Sequence, residues 1–153
     1  MRFIAFATFS TLVGSQLGCA AAPTNHHALA KGQLELLELA PATGDALGRS
    51  SVITATVRYS ITGFDPADTY VLVPLFNTKN PDETFNELPG FRDGFPITSP
   101  EGDISVSYAI AKEWDSGRLA QPIVVHFVVL ELTAKHKATA IATTPSLTFT
   151  ATE

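Results

Sequence analysis

Between Ile53 and Ile61 apolar side chains fall on every second residue: Ile53, Ala55, Val57, Tyr59 and Ile61. Thr54, Thr56, Arg58 and Ser60 stand between them. A period of two sends one face of an extended segment into a core and the other to water. The β-branched content favours the pleated conformation, and Gly63 followed by Asp65-Pro66 ends the run. This strand is expected to be an inner one.

The same alternation recurs along the chain. Leu34 and Leu36 alternate with Gln33 and Glu35, and then Leu37 and Leu39 change phase before Pro41. That shift predicts a strand with a bulge or a change of sheet. Tyr70 to Phe76 is apolar at every position, so both faces should be covered. Pro74 within it lacks an N–H, which predicts a free side or a bulge at that point. Ile104, Val106, Tyr108 and Ile110 alternate with Ser105 and Ser107 after the turn Ser99-Pro100-Glu101-Gly102. Ala111 to Leu119 reads as a short helical turn crossing between sheets. Ile123 to Leu132 is the most hydrophobic stretch of the domain and should be central, and Thr139 to Thr150 reads as an edge strand kinked at Thr144-Pro145.

Strands in this number, closely spaced and without long helices between them, predict an all-β, antiparallel β-sandwich of about seven or eight strands. Asn77 to Pro100 is the longest irregular stretch, with short edge strands expected near Thr84 to Leu88 and Phe95 to Thr98. Loops of that length are uncommon and are often functional. Composition agrees with a folded domain: 45% of the 153 residues are hydrophobic and 16% are charged. The net charge of −5 offers no basic surface for a phosphate backbone, so nucleic acid is not an expected partner.

The beginning of the chain is of a different kind. Arg2 precedes the apolar run Phe3 to Val13, and Gly14 to Ala22 is uncharged and mostly small. This is the layout of an export signal, too short for a permanent membrane span. The single cysteine, Cys19, follows Leu17-Gly18 at its end. That placement resembles the lipobox of bacterial lipoproteins. The resemblance implies that Cys19 is lipidated and becomes the new N-terminus, with Ala20 after it matching outer-membrane delivery. Ordinary cleavage near Ala20 to Ala22, which discards Cys19, is the alternative. The expected organisation is a signal over residues 1–19, a flexible tether over 20–31, and the β-sandwich over 32–153. The expected location is extracytoplasmic: an outer-membrane lipoprotein facing the periplasm or the surface, or else a secreted or periplasmic soluble protein. The strand pattern over Gln33 to Glu153 resembles immunoglobulin-like and fibronectin type III-like domains. It carries neither their cysteine pair nor a tyrosine corner.

Catalytic motifs are not visible: there is no Gly-x-Ser-x-Gly elbow, phosphate-binding glycine loop or His-Glu-x-x-His pair. His26-His27 reads as a solvated pair in the tether, His126 as a packed strand residue and His136 as a turn residue. Asp82, Glu83, Glu87 and Asp93 carry oxygen ligands of the kind calcium takes, but their spacing fits no calcium loop, and they read as solvated charges. No metal and no cofactor is expected, and the protein is not expected to be an enzyme. Four aromatic residues are the candidate partner-binding positions: Phe85, Phe91 and Phe95 in the long connection, and Trp114. The chain therefore reads as a non-catalytic binding or interaction module of the cell envelope. It would be held at the membrane through the Cys19 lipid and engage a protein or glycan partner. Assembly through an exposed edge such as Thr139 to Thr150 is the alternative.

Overall fold

The computed structural model describes residues 30–133 and 137–152. Arg2, Cys19, His26, His27 and His136 lie outside the described residues, so the export signal, lipidation and most of the tether expectation fall there too. The tether's expected last two residues do not: Ala30 is buried in the core and Lys31 begins the first strand.

The chain is all-β, with sheets built from antiparallel strands. One sheet has the order β1-β3-β7, from Lys31–Ala40, Val52–Thr62 and Glu101–Ala109. The other runs β2-β10-β8-β4-β5, from Ala46–Leu47, Leu147–Ala151, Ile123–Leu132, Thr69–Asn77 and Thr84–Phe85. In that sheet β6 (Phe95–Ile97) also pairs with β4, and β9 (Ala138–Thr143) with β8. The two-residue pairing of β2 with β10 is parallel, a departure from the purely antiparallel expectation.

The alternating segment Ile53 to Ile61 lies in β3, the middle strand of the three-stranded sheet. All five of its apolar side chains are buried, against Tyr108, Val106 and others of the neighbouring strand and against the facing sheet. β1 shows the expected irregularity as a register shift between Leu36 and Glu38. That shift lets Leu34, Leu36 and Leu39 all pack on the core while Leu37 stays exposed. β4 is covered on both faces. Tyr70, Leu72 and Phe76 enter the core between the sheets, whereas Val71 and Val73 join Val128, Leu130 and Leu132 in a second apolar cluster on the opposite side.

Pro74 falls between the two short strands that pair with the outer edge of β4: β6 opposite Tyr70 to Leu72, and β5 opposite Phe76 and Asn77. Its carbonyl accepts from the Asn86 side-chain amide at 3.3 Å, so the same edge needs no N–H there. Thr139 to Thr150 is not one kinked strand but two. β9 and β10 lie along the same side of β8, opposite Val128 to Leu132 and Ile123 to Val125 respectively. The gap is closed by Thr144. Its N–H donates to the Phe127 carbonyl at 2.9 Å, and its hydroxyl accepts from the Phe127 N–H at 3.0 Å. The α1 helix (Ala111–Asp115) carries the chain from β7 to β8, the crossing expected of the Ala111 to Leu119 stretch.

Candidate functional site

The connection from Asn77 to Pro100 is a docked wall rather than a free loop. It starts with a tight turn in which the Thr78 N–H donates to the Glu83 carbonyl at 3.1 Å and the Glu83 N–H to the Asn80 carbonyl at 3.1 Å. The Lys79 N–H donates to the Arg118 carbonyl at 3.2 Å, and the Ala120 N–H to the Asn77 carbonyl at 3.1 Å. These tie the turn to the segment leading into β8. Phe85 then enters the core, with its ring centroid 6.3 Å from that of Phe76, itself 5.9 Å from that of Tyr108. The Arg118 guanidinium covers Phe85 at 4.5 Å from the centroid and lies 3.7 Å from the Glu87 carboxylate. Gly94 passes so close to β4 that an added Cβ would lie 2.6 Å from Val73 Cγ1.

The strongest fixing point is Glu113 on α1, which is wholly buried. Its Oε1 accepts the Glu87 N–H at 2.8 Å and also the Tyr108 hydroxyl. One carboxyl oxygen thus joins the long connection, the crossing helix and the edge strand β7. Burial, together with the hydrogen bond to Glu113, pushes the Tyr108 phenol far above its ordinary pKa. A second buried carboxyl sits at the other end of β4. Glu131, 1% exposed, accepts from the Tyr70 hydroxyl at 3.1 Å, and that hydroxyl accepts from the Asp65 N–H at 3.1 Å. The Tyr70 phenol is likewise raised, chiefly by burial. Each carboxyl leaves its Oε2 buried with no hydrogen-bond partner among the described residues.

The docked wall leaves a groove of about 610 Å³ between itself and β9. Leu75 and Leu130 are at its base, Asn86, Leu88, Pro89 and Gly90 on one side, and Ala138 and Ala140 on the other. A separate concavity of about 390 Å³ is lined by Lys79, Trp114, Gly117, Leu119 and Gln121.

These positions change how the candidate aromatics read. Phe85 is 5% exposed, so its place is in the core and it presents no ring for stacking. The reason is register: Phe85 pairs with Phe76, whose side chain points between the sheets. Phe95 is half-buried and packs on the same core, and Trp114 is half-buried against it while lining the smaller concavity. The Phe91 side chain lies outside the described residues. The acidic residues of the connection are not gathered, and among the described residues no group of three or more His, Cys, Asp or Glu is placed to hold a metal ion. His126 is half-buried in β8 beside Leu75.

Sequence reasoning missed both buried carboxyls. Glu131 carried a usable signal, since it shares the phase of Ile123, Val125, Phe127 and Val129, the core-facing residues of β8. Glu113, in a charged five-residue helix, carried none. The chain matches no family model, no curated protein and no solved structure.

Proposed function

We propose that this chain is an extracytoplasmic, non-catalytic binding module that recognises a protein partner through the Asn77 to Pro100 connection. The single observation that carries this reading is the groove of about 610 Å³ beside β9, whose wall is latched in place by Glu113. A groove already held open by hydrogen bonds costs little ordering on binding. Its apolar base and the polar Asn86 rim suit an extended peptide segment better than a glycan, because Phe85 supplies no open ring for sugar stacking. The non-catalytic assignment is supported by the two carboxyl–phenol pairs, Glu113–Tyr108 and Glu131–Tyr70, being buried away from solvent.

The sandwich is of the immunoglobulin-like kind in this proposal. Strand order supports it: β1, β3 and β7, in the places of strands A, B and E, form one sheet, and β4 and β8, in the places of C and F, are neighbours in the other. Immunoglobulin domains divide their strands in the same way. Delivery by the export signal, with Cys19 lipidated at the outer membrane, completes the proposal.

Two measurements test it on the full chain expressed in a bacterial host. Intact mass should show an acylated Cys19 as first residue, and an unmodified start at Ala21 or Ala22 removes the anchor. A photo-crosslinker at Pro89, on the exposed groove rim, should give a discrete protein adduct, whereas one at Thr148, exposed on β10, should not. Equal labelling from both positions, or none from Pro89, overturns the groove.

A further inference from the structure

Sheet edges expose unpaired N–H and C=O groups, and proteins usually blunt them. Most edges here are blunted. β1 carries a bulge between Leu36 and Glu38 together with the charges of Lys31, Glu35 and Glu38. β9 has a register shift against β8, and its Ala142 lies beneath Gly32 of β1. β10 is covered by β2, and β5 and β6 are short stubs, β6 carrying Pro96.

The edge of β7 is different. Its pairing with β3 runs from Glu101 to Ala109 with no shift. From Ile104 to Ala109 it holds no charge, proline or glycine. Among the described residues β3 is its one strand partner. The ladder fixes which groups are free. The Ile110 N–H donates to the Ser51 carbonyl, and the Ile61 N–H to the Pro100 carbonyl, so even-numbered positions of this segment bond to β3. Hydrogen-bonded pairs alternate in an antiparallel ladder, so odd-numbered residues direct their N–H and C=O outward. The Glu101 carbonyl is taken by the Ser99 hydroxyl at 2.9 Å. Asp103, Ser105, Ser107 and Ala109 remain.

We infer that this edge is a self-association surface, on which β7 of a second copy pairs antiparallel across a two-fold axis at Val106. In that register Asp103 faces the second copy's Ala109, and Ser105 faces the second copy's Ser107. The free backbone groups match one another, and no like charges stand opposite. Charge placement favours the same arrangement: Glu101 comes beside Lys112 of the other copy, both side chains being exposed. Opposed Ser105 and Ser107 hydroxyls add the cross-strand contact that such pairs make. The result is one continuous sheet, β1-β3-β7-β7-β3-β1. The interface is independent of the groove beside β9. A strand edge alone lies well below the roughly 800 Å² per partner of standard interfaces, so association on the order of tens of micromolar is expected.

The test is sedimentation velocity of the full chain in mild detergent, over concentrations spanning that range. Wild type should show a reversible monomer–dimer step. Ser105→Pro removes an outward N–H and leaves the β3 ladder intact, so it should weaken dimerisation about tenfold or more with unchanged circular dichroism. Ser105→Thr, which keeps the N–H, should dimerise as wild type does. Should the proline variant misfold, co-expression of Ser105→Cys and Ser107→Cys chains decides: oxidation should cross-link the two different chains. A wild type that stays monomeric up to about 200 micromolar overturns the inference, as does a folded Ser105→Pro chain that dimerises normally or the absence of the mixed cross-link. A monomeric wild type that captures a different protein through this edge also overturns it, by showing that the edge serves another partner.

Discussion

Removing the Glu113 carboxyl should detach the wall of the groove while leaving the sheets standing. In Glu113→Ala two donors, the buried Tyr108 hydroxyl and the part-buried Glu87 N–H, lose their acceptor. Each unsatisfied buried group costs about 1–3 kcal/mol, and a small cavity is added. The net expectation is a loss of about 3–4 kcal/mol. Glu113→Gln keeps an oxygen that can accept from both donors, and its amide replaces an Oε2 that already has no partner among the described residues. It should cost about 1 kcal/mol or less. Urea unfolding of the two variants should therefore differ by about 2 kcal/mol or more, seen on heating as roughly 6–10 °C in Tm for a domain of this size. Tyr108→Phe supplies the second arm of a double-mutant cycle. Combined with Glu113→Ala it should cost about 1 kcal/mol less than the two changes added together, because the phenol is then not stranded. Alanine and glutamine variants of equal stability would refute the latch, as would strict additivity with Tyr108→Phe.

Three further outcomes follow from the same contacts. Gly94→Ala places a Cβ 2.6 Å from Val73 Cγ1 and 2.9 Å from the Leu72 carbonyl oxygen, so urea unfolding should show a loss of about 1–3 kcal/mol. Thr144→Val keeps shape but removes the acceptor for the Phe127 N–H. It should cost about 1–2 kcal/mol and speed exchange of that amide selectively. The hydrogen bonds from Arg58 to Asp103, and then their charge attraction, hold the Asp103 carboxyl below its ordinary 3.8. A depressed carboxylate contributes stability that is present above 3.8 and is lost as pH falls through the lower folded value. A carboxyl NMR titration should put its midpoint below 3.8, and Arg58→Met should return it toward that value, with little change in stability because the pair is exposed.

How much of this could be read from the chain depended on whether a signal was local. The alternation of Ile53 to Ile61 and of Ile104 to Ile110 is a local period, and both strands stand where that period puts them. The phase change at Leu37 and the proline at Pro74 were legible for the same reason. A bulge and a missing N–H each have a backbone consequence that no distant residue can alter. Phe85 carries no such signal, because a two-residue strand has no period and its face is set by its pairing with Phe76. The division of the Thr139 to Thr150 stretch into two strands is not a local signal either, because the break at Thr144 is bridged by Phe127, a contact across the sheet. Glu113 was illegible: its burial is set by Tyr108 on β7 and Glu87 in the long connection, and neither is implied by the helix it sits in. The groove inherits part of that opacity, since this carboxyl is one of the contacts that fix its wall.

Hydrogen exchange at the Glu87 amide tests most directly whether the site is built in this way. This amide, donated to the buried Glu113 Oε1 at 2.8 Å, should exchange on the timescale of the β4 and β8 core amides, and Glu113→Ala alone should make it fast. Rapid exchange in the wild-type chain, at the rate of an open loop, would contradict a latched wall and with it the preformed groove.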